Sequence, residues 1–256
     1  MALKSKKLCP MELVTGHGQP RFRQSRQMDH HSPFSSRFAS PLPWSFILMT
    51  NTMERAQVTQ GDVGKAIATG EFVSMTTLHN TIPGSVPAPI AWGTYATDSN
   101  IHFFLCNFVE MSDELPNIQA FTAKIAELHT KGLSPNGKYG FSVPTYLGQM
   151  PQYTTWTDSW EEFFINSLKQ LMSSIEEVHG PDVEWRELLE VTINKVVPRL
   201  LRPLETGGRQ IQPRLVHGYL YAGNVSVDVE TSAPILFDAI CLHAHNEYKL
   251  EMMDIS

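Results

Sequence analysis

Residues 215–238 decide the fold, and they read LVHGYLYAGNVSVDVETSAPILFD. The stretch begins with a short apolar run, enters a polar turn at His217, passes Asn224 and returns to an apolar run that ends near Asp238. Short apolar runs bounded by turn residues are typical of buried strands. We therefore expect two buried strands that flank a loop of polar residues.

The polar residues of this loop have the spacing of a catalytic loop in protein-kinase-like phosphotransferases. That loop has the pattern H-x-D-x-x-x-x-N, and the strand after it ends in a metal-binding Asp. The first Asp meets the attacking hydroxyl, while the Asn and the later Asp hold magnesium against the ATP phosphates. Asn224 and Asp238 occupy the two magnesium positions, whereas Tyr219 stands where the catalytic base is expected.

These residues carry a resemblance to a known family. HGYLYAGNVSVD followed by ILFDAICLHAHNEYKL resembles the fructosamine-3-kinase and ketosamine-3-kinase (protein-ribulosamine 3-kinase) family, whose members show H-G-D-L-W-x-G-N and then F-D-x-x-x-x-x-x-H-x-E-Y-E-L. The match resembles the fungal branch and runs from about Val58 to the C-terminus. Further segments similar to the family are FFLCNF, MSDELP, LSPNGKYGF, TWTDSWEEFF and PRLLRPLE.

The resemblance implies an α+β, protein-kinase-like (aminoglycoside-phosphotransferase-like) two-lobe fold in a degenerate and truncated copy. Residues 1–52 are expected to be a disordered or non-homologous N-terminal segment. Residues 53–110 are then a partial N-lobe of strands and one helix, and residues 111–256 a truncated helical C-lobe that contains the catalytic-loop region.

Composition limits the class of protein. At 256 residues, 42% hydrophobic and 18% charged, the chain is long enough to bury a core. Its three cysteines have no C-x-x-C spacing, which favours a reducing intracellular compartment and hence a cytoplasmic location. The longest apolar run, Pro43–Met49, is too short to span a membrane. We therefore expect no membrane partner.

Charge is distributed unevenly along the chain. Residues 1–50 hold seven Lys and Arg and two acidic residues, a net charge of +5, so the remainder carries −11 and the whole chain −6. An acidic body argues against a nucleic-acid partner, because phosphate binding requires a basic face. Residues 1–50 show no helix or strand periodicity. They could be a mitochondrial transit peptide, an untargeted tail or a misassigned first exon. The adjacent histidines His30 and His31 are expected to be solvated.

A helix is predicted over residues 61–82, with Val63, Ile67, Met75, Leu78 and Ile82 near a 3.6-residue period. Glu71 lies on this stripe, and a buried carboxylate requires a partner. By resemblance that partner is a lysine on the preceding strand, which positions the ATP phosphates, but Gln57 occupies its place. The alternative is that Glu71 reaches solvent past the edge of the helix.

Two β-rich runs, residues 87–95 and 101–109, are separated by turn residues and predict a hairpin. By resemblance the second strand leads into the hinge, where the backbone near Asn107 and Val109 meets the adenine edge of ATP. The alternative is that these runs are strands with no further role.

Helices are also predicted over residues 117–131, from Asp158 onwards with Glu161 in a capping box, and over residues 184–200, where Pro198 kinks or ends the helix. Packing is the favoured role for three further groups of residues, and each has an alternative. Tyr139 and Phe141 could line a sugar pocket, and His243, His245 and Glu247 could bind a metal. Trp156, Asp158 and Trp160 could line the substrate site.

The family implies ATP-dependent phosphorylation of the 3-hydroxyl of ketosamines, either small or on glycated lysines, with Mg²⁺ as the second cofactor. A phenol is protonated at neutral pH, so Tyr219 cannot replace the Asp that accepts the hydroxyl proton. We therefore expect impaired turnover. The alternatives are a pseudokinase that acts as a binding module and a decayed or misassigned gene fragment; the sequence carries no signal for the ketosamine or the oligomeric state.

Overall fold

The structure is a computed structural model, and it describes residues 46–49, for their backbone, and residues 54–250. The chain divides into two units, Met1–Pro43 and Trp44–Ser256. The first unit lies outside the described residues, and so does the prediction for His30. The second unit is a mixed α+β structure, as expected.

An antiparallel sheet of four strands in the order β1-β2-β4-β3 lies in the N-terminal part of this unit. Its strands are β1 (Phe46–Met49), β2 (Glu54–Gln60), β3 (Pro89–Thr94) and β4 (Ile101–Asn107). The predicted hairpin is confirmed as β3 and β4. Its turn is closed by Asp98, whose side-chain oxygen accepts from the Asn100 N–H at 2.9 Å.

Strand β1 lies within residues 1–52, the segment expected to be disordered or non-homologous, and shows regular structure at Phe46–Met49. Residues Phe46–Met49 pair antiparallel with β2, from Phe46 opposite Val58 to Met49 opposite Arg55. Because a four-residue strand is too short to show alternation in the sequence, the partner strand decides its conformation. Residues 1–45 and 50–53 lie outside the described part.

Helix α1 (Gly61–Thr81) packs on this sheet. Its buried positions fall on one stripe, which contains Gly64, Ala68, Gly70, Glu71, Ser74, Met75 and Leu78. Val63 was predicted to face the core, but its side chain is 46% exposed. Small residues face the sheet instead, because the helix approaches β2 closely: a Cβ on Gly64 would lie 3.0 Å from the Cβ of Thr59.

Helices dominate the middle of the unit: α2 (Ile118–Lys131), α3 (Trp160–His179), α4 (Val183–Val191) and α5 (Val197–Leu201). Asn117 caps α2 by accepting from the N–H groups of Gln119 and Ala120. The cap of α3 is Ser159, one residue later than the predicted Asp158, because the Ser159 hydroxyl accepts from the Glu162 N–H.

The predicted helix over residues 184–200 is interrupted by a π-helical turn, Thr192–Val196. Pro198 follows at the start of α5. Proline provides no N–H for the i−4 carbonyl, so the wider turn before it accommodates the lost hydrogen bond. The chain stays helical through Pro198 as far as Leu201, so the prediction that Pro198 ends the helix is wrong; the helix changes type just before this residue.

Short antiparallel strand pairs hold the C-terminal part. Strand β7 (Arg214–Val216) pairs with β10 (Leu242–Ala244), and β8 (Val225–Val227) pairs with β9 (Pro234–Leu236). A further pair, β5 (Tyr146–Leu147) and β6 (Met150–Pro151), lies in the loop before α3. The strands β7 and β9 are the two apolar runs predicted to flank the polar loop, and Leu215 and Leu236 are fully buried.

Candidate functional site

The polar loop between β7 and β8 is fixed by its own backbone. Gly218 has φ +81°, a conformation that glycine adopts without strain, and its Cα lies against the carbonyl of Ile240. The His217 carbonyl accepts from the Ile240 N–H at 3.0 Å. This loop is therefore bound directly to the segment that follows Asp238.

Asn224 links the loop to the strand that ends before Asp238. Its side chain is buried, and the Nδ2 group donates to the Tyr219 carbonyl at 2.9 Å. Its backbone carbonyl accepts from the Phe237 N–H at 3.2 Å. Two hydrogen bonds thus hold Asn224 between the loop and the residue before Asp238.

Asp238 has a left-handed backbone conformation, with φ +56°. This conformation is uncommon for residues other than glycine, and such residues concentrate at functional sites. The side chain is 40% exposed, and its Oδ1 lies 3.7 Å from the Arg55 Nη2. Burial raises the pKa of Asp238, and the Arg55 guanidinium opposes that shift.

Glu71 faces the same cleft from helix α1. The residue is only 8% exposed, so the alternative that Glu71 reaches solvent is wrong. Burial, and then the Asp238 carboxylate, raises the pKa of Glu71 well above its ordinary value, while Arg55 lowers it. The two carboxylates are therefore close enough to repel each other, and one cation lies beside them.

The cleft is lined by residues from the sheet, from α1 and from the end of β9. They are Arg55, Gln57, Glu71, Met75, Pro87, Phe104, Cys106, Phe237 and Asp238. Gln57 lies in the cleft as the resemblance implied. Within residues 54–250, however, no hydrogen bond joins it to Glu71. The buried carboxylate therefore lacks the partner that the sequence analysis assigned to it.

His217 is buried beneath the loop. Burial lowers the pKa of His217 to about 4, so the ring is neutral at physiological pH. Its Nδ1 accepts from the Tyr219 N–H at 3.4 Å. This histidine therefore supports the loop as a neutral group and carries no charge into the cleft.

Tyr219 occupies the position expected for the catalytic base and lies against Tyr221, with the two ring centres 5.0 Å apart. Burial, and then Tyr219, raises the pKa of Tyr221 to about 12, with a smaller contribution from Asp238. Neither tyrosine is among the described residues that line the cleft around Asp238. The loop therefore carries a phenol at Tyr219 where the family pattern has a carboxylate, and this phenol packs on a second one.

The family model described as fructosamine kinase matches residues 57–256. The chain belongs to the fructosamine kinase family. It is 29% identical over 195 residues to the chloroplastic protein-ribulosamine 3-kinase of Oryza sativa subsp. indica, a match that covers 76% of this chain and 54% of that protein. It is 28% identical to the ketosamine-3-kinase of Mus musculus, over 71% of this chain and 62% of that protein. The chain spans about half the length of the curated relatives it matches first.

Two solved structures confirm the protein-kinase-like fold of this fructosamine kinase family member. A protein assigned as a fructosamine-3-kinase from Thermobifida fusca superposes with a TM-score of 0.58 at 16% identity, covering 80% of this chain and 70% of that chain. A protein with the same assignment from Haemophilus somnus 129PT gives 0.56 at 20% identity, with the same coverage. At these identities the likeness shows the fold alone.

The hinge predicted for adenine follows strand β4. Asn107 ends the strand, and its N–H donates to the Ala88 carbonyl at 2.9 Å. Val109 lies two residues further on, half-buried, and within residues 54–250 its N–H and carbonyl have no hydrogen-bond partner. Of the two residues, Val109 therefore has backbone groups available for the edge of a base, whereas the Asn107 N–H is already used.

The donors present fit Mg²⁺. Magnesium is held in such sites by one or two carboxylate or amide oxygens, together with substrate phosphates and water. Asp238 offers a carboxylate at the cleft, and Asn224 retains its Oδ1 because its Nδ2 is committed to Tyr219. Among residues 54–250 no group of three His, Cys, Asp or Glu side chains could hold a metal alone. A magnesium ion held by these two residues would need further oxygen ligands from phosphates or water.

Most aromatic and histidine candidates outside the cleft are packing residues, as favoured. Trp160 is buried and stacks on Phe163 at 5.7 Å. His243 is buried between the rings of Phe141 and Trp156, at 6.0 and 5.8 Å. Core packing is wrong for two of the candidates: Asp158 is 81% exposed and pairs with Lys138, and Glu247 is exposed as well. No helix among residues 54–250 is long and apolar enough to cross a membrane.

Two residues that matter here, Arg55 and Glu205, were not identified from the sequence. Arg55 lies two residues before Gln57 on β2, and strand periodicity places both side chains on one face. The two-residue period of the strand could have identified Arg55, because a buried Glu71 requires a cation nearby. Glu205 closes the segment PRLLRPLE, whose role had no sequence signature; its carboxylate accepts from the Trp160 N–H at the start of α3.

Proposed function

We propose that this chain is a ketosamine-3-kinase-type phosphotransferase that binds ATP with Mg²⁺ and transfers phosphate slowly. The supporting observation is the pair of Asp238 and Glu71 in one cleft, with the Asn224 loop hydrogen-bonded beside Asp238. This is the arrangement that phosphoryl transfer needs, because catalysis in this class rests on positioning and charge compensation. The proposed substrates are glycated lysines or small ketosamines, in line with the names of the relatives.

Each residue has a proposed role in that site. The backbone at Val109, with Asn107 before it, borders the adenine. Asn224 and Asp238 hold Mg²⁺, which neutralises charge on the transferred phosphate when it is bound. Glu71 positions the cationic partner of the phosphates, and Gln57 lies beside them as a neutral side chain.

Slow turnover follows from the loop. A phenol at Tyr219 has no charge with which to accept the proton of the attacking hydroxyl, and its ring packs on Tyr221. Loss of a general base lowers the rate by about two to four orders of magnitude. We accordingly propose that nucleotide binding is retained more fully than catalysis.

A pseudokinase that acts as a binding module is the second candidate. The packed pair of Tyr219 and Tyr221 favours it, because a carboxylate-free loop can bind a hydroxyl-bearing ligand without activating it. We also propose the lobe boundaries as residues 53–110 and 111–256. We place the chain in the cytoplasm, where the buried free thiols of Cys106 and Cys241 remain reduced, with organelle import as the alternative.

Titration calorimetry with ATP, with and without Mg²⁺, tests the proposal. We expect binding that depends on Mg²⁺, and we expect Asp238→Asn to remove that dependence while the chain still unfolds cooperatively. Asp158→Asn is the matched control, since Asp158 is an exposed carboxylate that is not among the residues lining the cleft. A folded wild-type chain with no affinity for ATP would overturn the phosphotransferase and leave the binding module.

Turnover tests the role of Tyr219. A coupled assay with glycated amines compares wild type with Tyr219→Asp, in which we expect a faster rate by about two orders of magnitude or more. Equal rates in the two proteins would show that the phenol does not limit the reaction.

A further inference from the structure

Two acidic residues line the cleft, and the strand position where the family has a lysine provides no positive charge to balance them. Glu71 and Asp238 both line it, and the residue at the lysine position, Gln57, is neutral. Among the residues that line the cleft, the positive charge comes from Arg55. Since a nucleotide adds phosphate charge at this place, a cation here determines whether it binds.

Arg55 is positioned for that role by strand β2. Alternate residues of a strand point to one face, so Arg55 and Gln57 extend into the same cleft about 7 Å apart along the strand. The Arg55 side chain is 24% exposed, and its Nη2 lies 3.7 Å from the Asp238 Oδ1. Its guanidinium also lies over the Phe237 ring, 5.8 Å from the ring centre. The charge is therefore at the end of the cleft where Asp238 would hold Mg²⁺.

We propose that Arg55 binds the nucleotide phosphates, in place of the lysine that position 57 lacks. This inference rests on the proposed function. The contact of 3.7 Å is longer than a hydrogen bond, so Asp238 does not saturate the donors of the guanidinium. A planar guanidinium offers a fork of N–H groups that matches phosphate oxygens in pairs. Arg55 lies before the segment matched by the family model, which begins at residue 57.

A purely structural role makes a different prediction. As a counter-ion, Arg55 would offset the repulsion between Glu71 and Asp238, which both have raised pKa values. Removing such a counter-ion would weaken the fold and the binding of any ligand of the cleft alike. Removing a residue that binds phosphate would weaken the binding only of molecules that carry phosphate.

Calorimetric titration of the full chain with Mg-ATP, Mg-ADP and adenosine separates these roles. We expect Arg55→Gln to weaken Mg-ATP binding about 10- to 100-fold, the range for loss of a hydrogen bond to a charged group. Adenosine affinity should change less than about twofold, since adenosine has no phosphate. Arg209→Gln, an exposed arginine at a loop, is the control and should leave all three affinities unchanged.

The double variant Arg55→Gln/Gln57→Lys provides a rescue, because it moves the cation two residues along the same face of β2. We expect it to recover most of the lost Mg-ATP affinity while thermal unfolding of both variants stays cooperative. Equal weakening of ATP and adenosine, or no change in ATP affinity, would overturn the inference. Absence of any ATP and adenosine binding in the wild type would instead overturn the proposed function, on which the inference rests.

Discussion

The Glu205 carboxylate is expected to be a major stabiliser of the start of helix α3. It accepts from the Trp160 N–H at 2.9 Å, from the Glu161 N–H at 3.2 Å and from the Ser159 hydroxyl at 3.2 Å. It also accepts from the buried Tyr139 hydroxyl at 3.2 Å. Burial, and then this carboxylate, raises the pKa of Tyr139, so the phenol remains a donor. Glu205→Ala removes all of these contacts together.

The magnitude follows from the groups that lose a partner. A lost helix cap destabilises a protein by about 1 kcal/mol, and a lost hydrogen bond to a charged group by about 1.5–3 kcal/mol. Loss of a negative charge at the helix N-terminus adds about 0.3–1 kcal/mol. These contributions overlap because they share one carboxylate, so we expect about 2–4 kcal/mol in total. For a unit of this size, that lowers the Tm by about 5–15 °C.

Thermal and urea unfolding of the full chain measure this loss. Glu162→Gln is the matched control: it removes a negative charge from the same helical turn, where Glu162 is exposed and accepts none of the capping hydrogen bonds. We expect the control to lower the unfolding free energy by less than about 1 kcal/mol. If the Glu205→Ala protein unfolds at the same temperature as the Glu162→Gln protein, the assignment of Glu205 as a stabiliser of the start of α3 is refuted.

Three further predictions concern the loop, a buried histidine and a helix cap. Gly218→Ala should lower the free energy of unfolding in urea by at least about 2 kcal/mol and weaken Mg-ATP binding. Residue 218 has a left-handed φ, and a Cβ there would collide with the Ile240 carbonyl. Unchanged stability and affinity would contradict the fixed loop. Burial lowers the pKa of His243 to about 4 from an ordinary 6.5, so the unfolded chain binds the extra proton first. Stability should therefore fall as the pH drops from 6.5 toward 4, by up to ~3 kcal/mol from this group, and the difference between wild type and His243→Phe should show that slope. A pH-independent difference would exclude a neutral buried His243. Asn117→Ala should destabilise the chain by about 1 kcal/mol in urea unfolding, since α2 loses the acceptor of two N–H groups; no change would mean that water replaces the cap.

The elements that sequence patterning predicted correctly are those whose signal is local. The loop at 217–224 lies between two buried strands because short apolar runs flank it. Glu71 is buried on α1 because the 3.6-residue period of its neighbours places it on the inner face. The helix predicted over residues 117–131 is confirmed as α2, Ile118–Lys131, because its apolar residues repeat at helical spacing.

The features that patterning missed depend on contacts between distant parts of the chain. The sequence marked Val63 as apolar, but the close approach of α1 to Thr59 turns small residues inward instead. The pairing of β1 with β2 is decided by the partner strand, so residues 46–49 carried no signal of their own. Glu205 reaches the start of α3 from 45 residues away, which no periodicity reports.

Charge in the cleft ties the candidate site to the way the chain departs from its family pattern. A buried carboxylate at Glu71 beside Asp238 is unfavourable unless a cation is near, and Gln57 offers none. A strand offers a replacement only at a position two residues away, because the residues between point to the other face. Arg55 holds that position. A comparison with the family at position 57 alone would therefore suggest that the cleft has no cation, although Arg55 provides one.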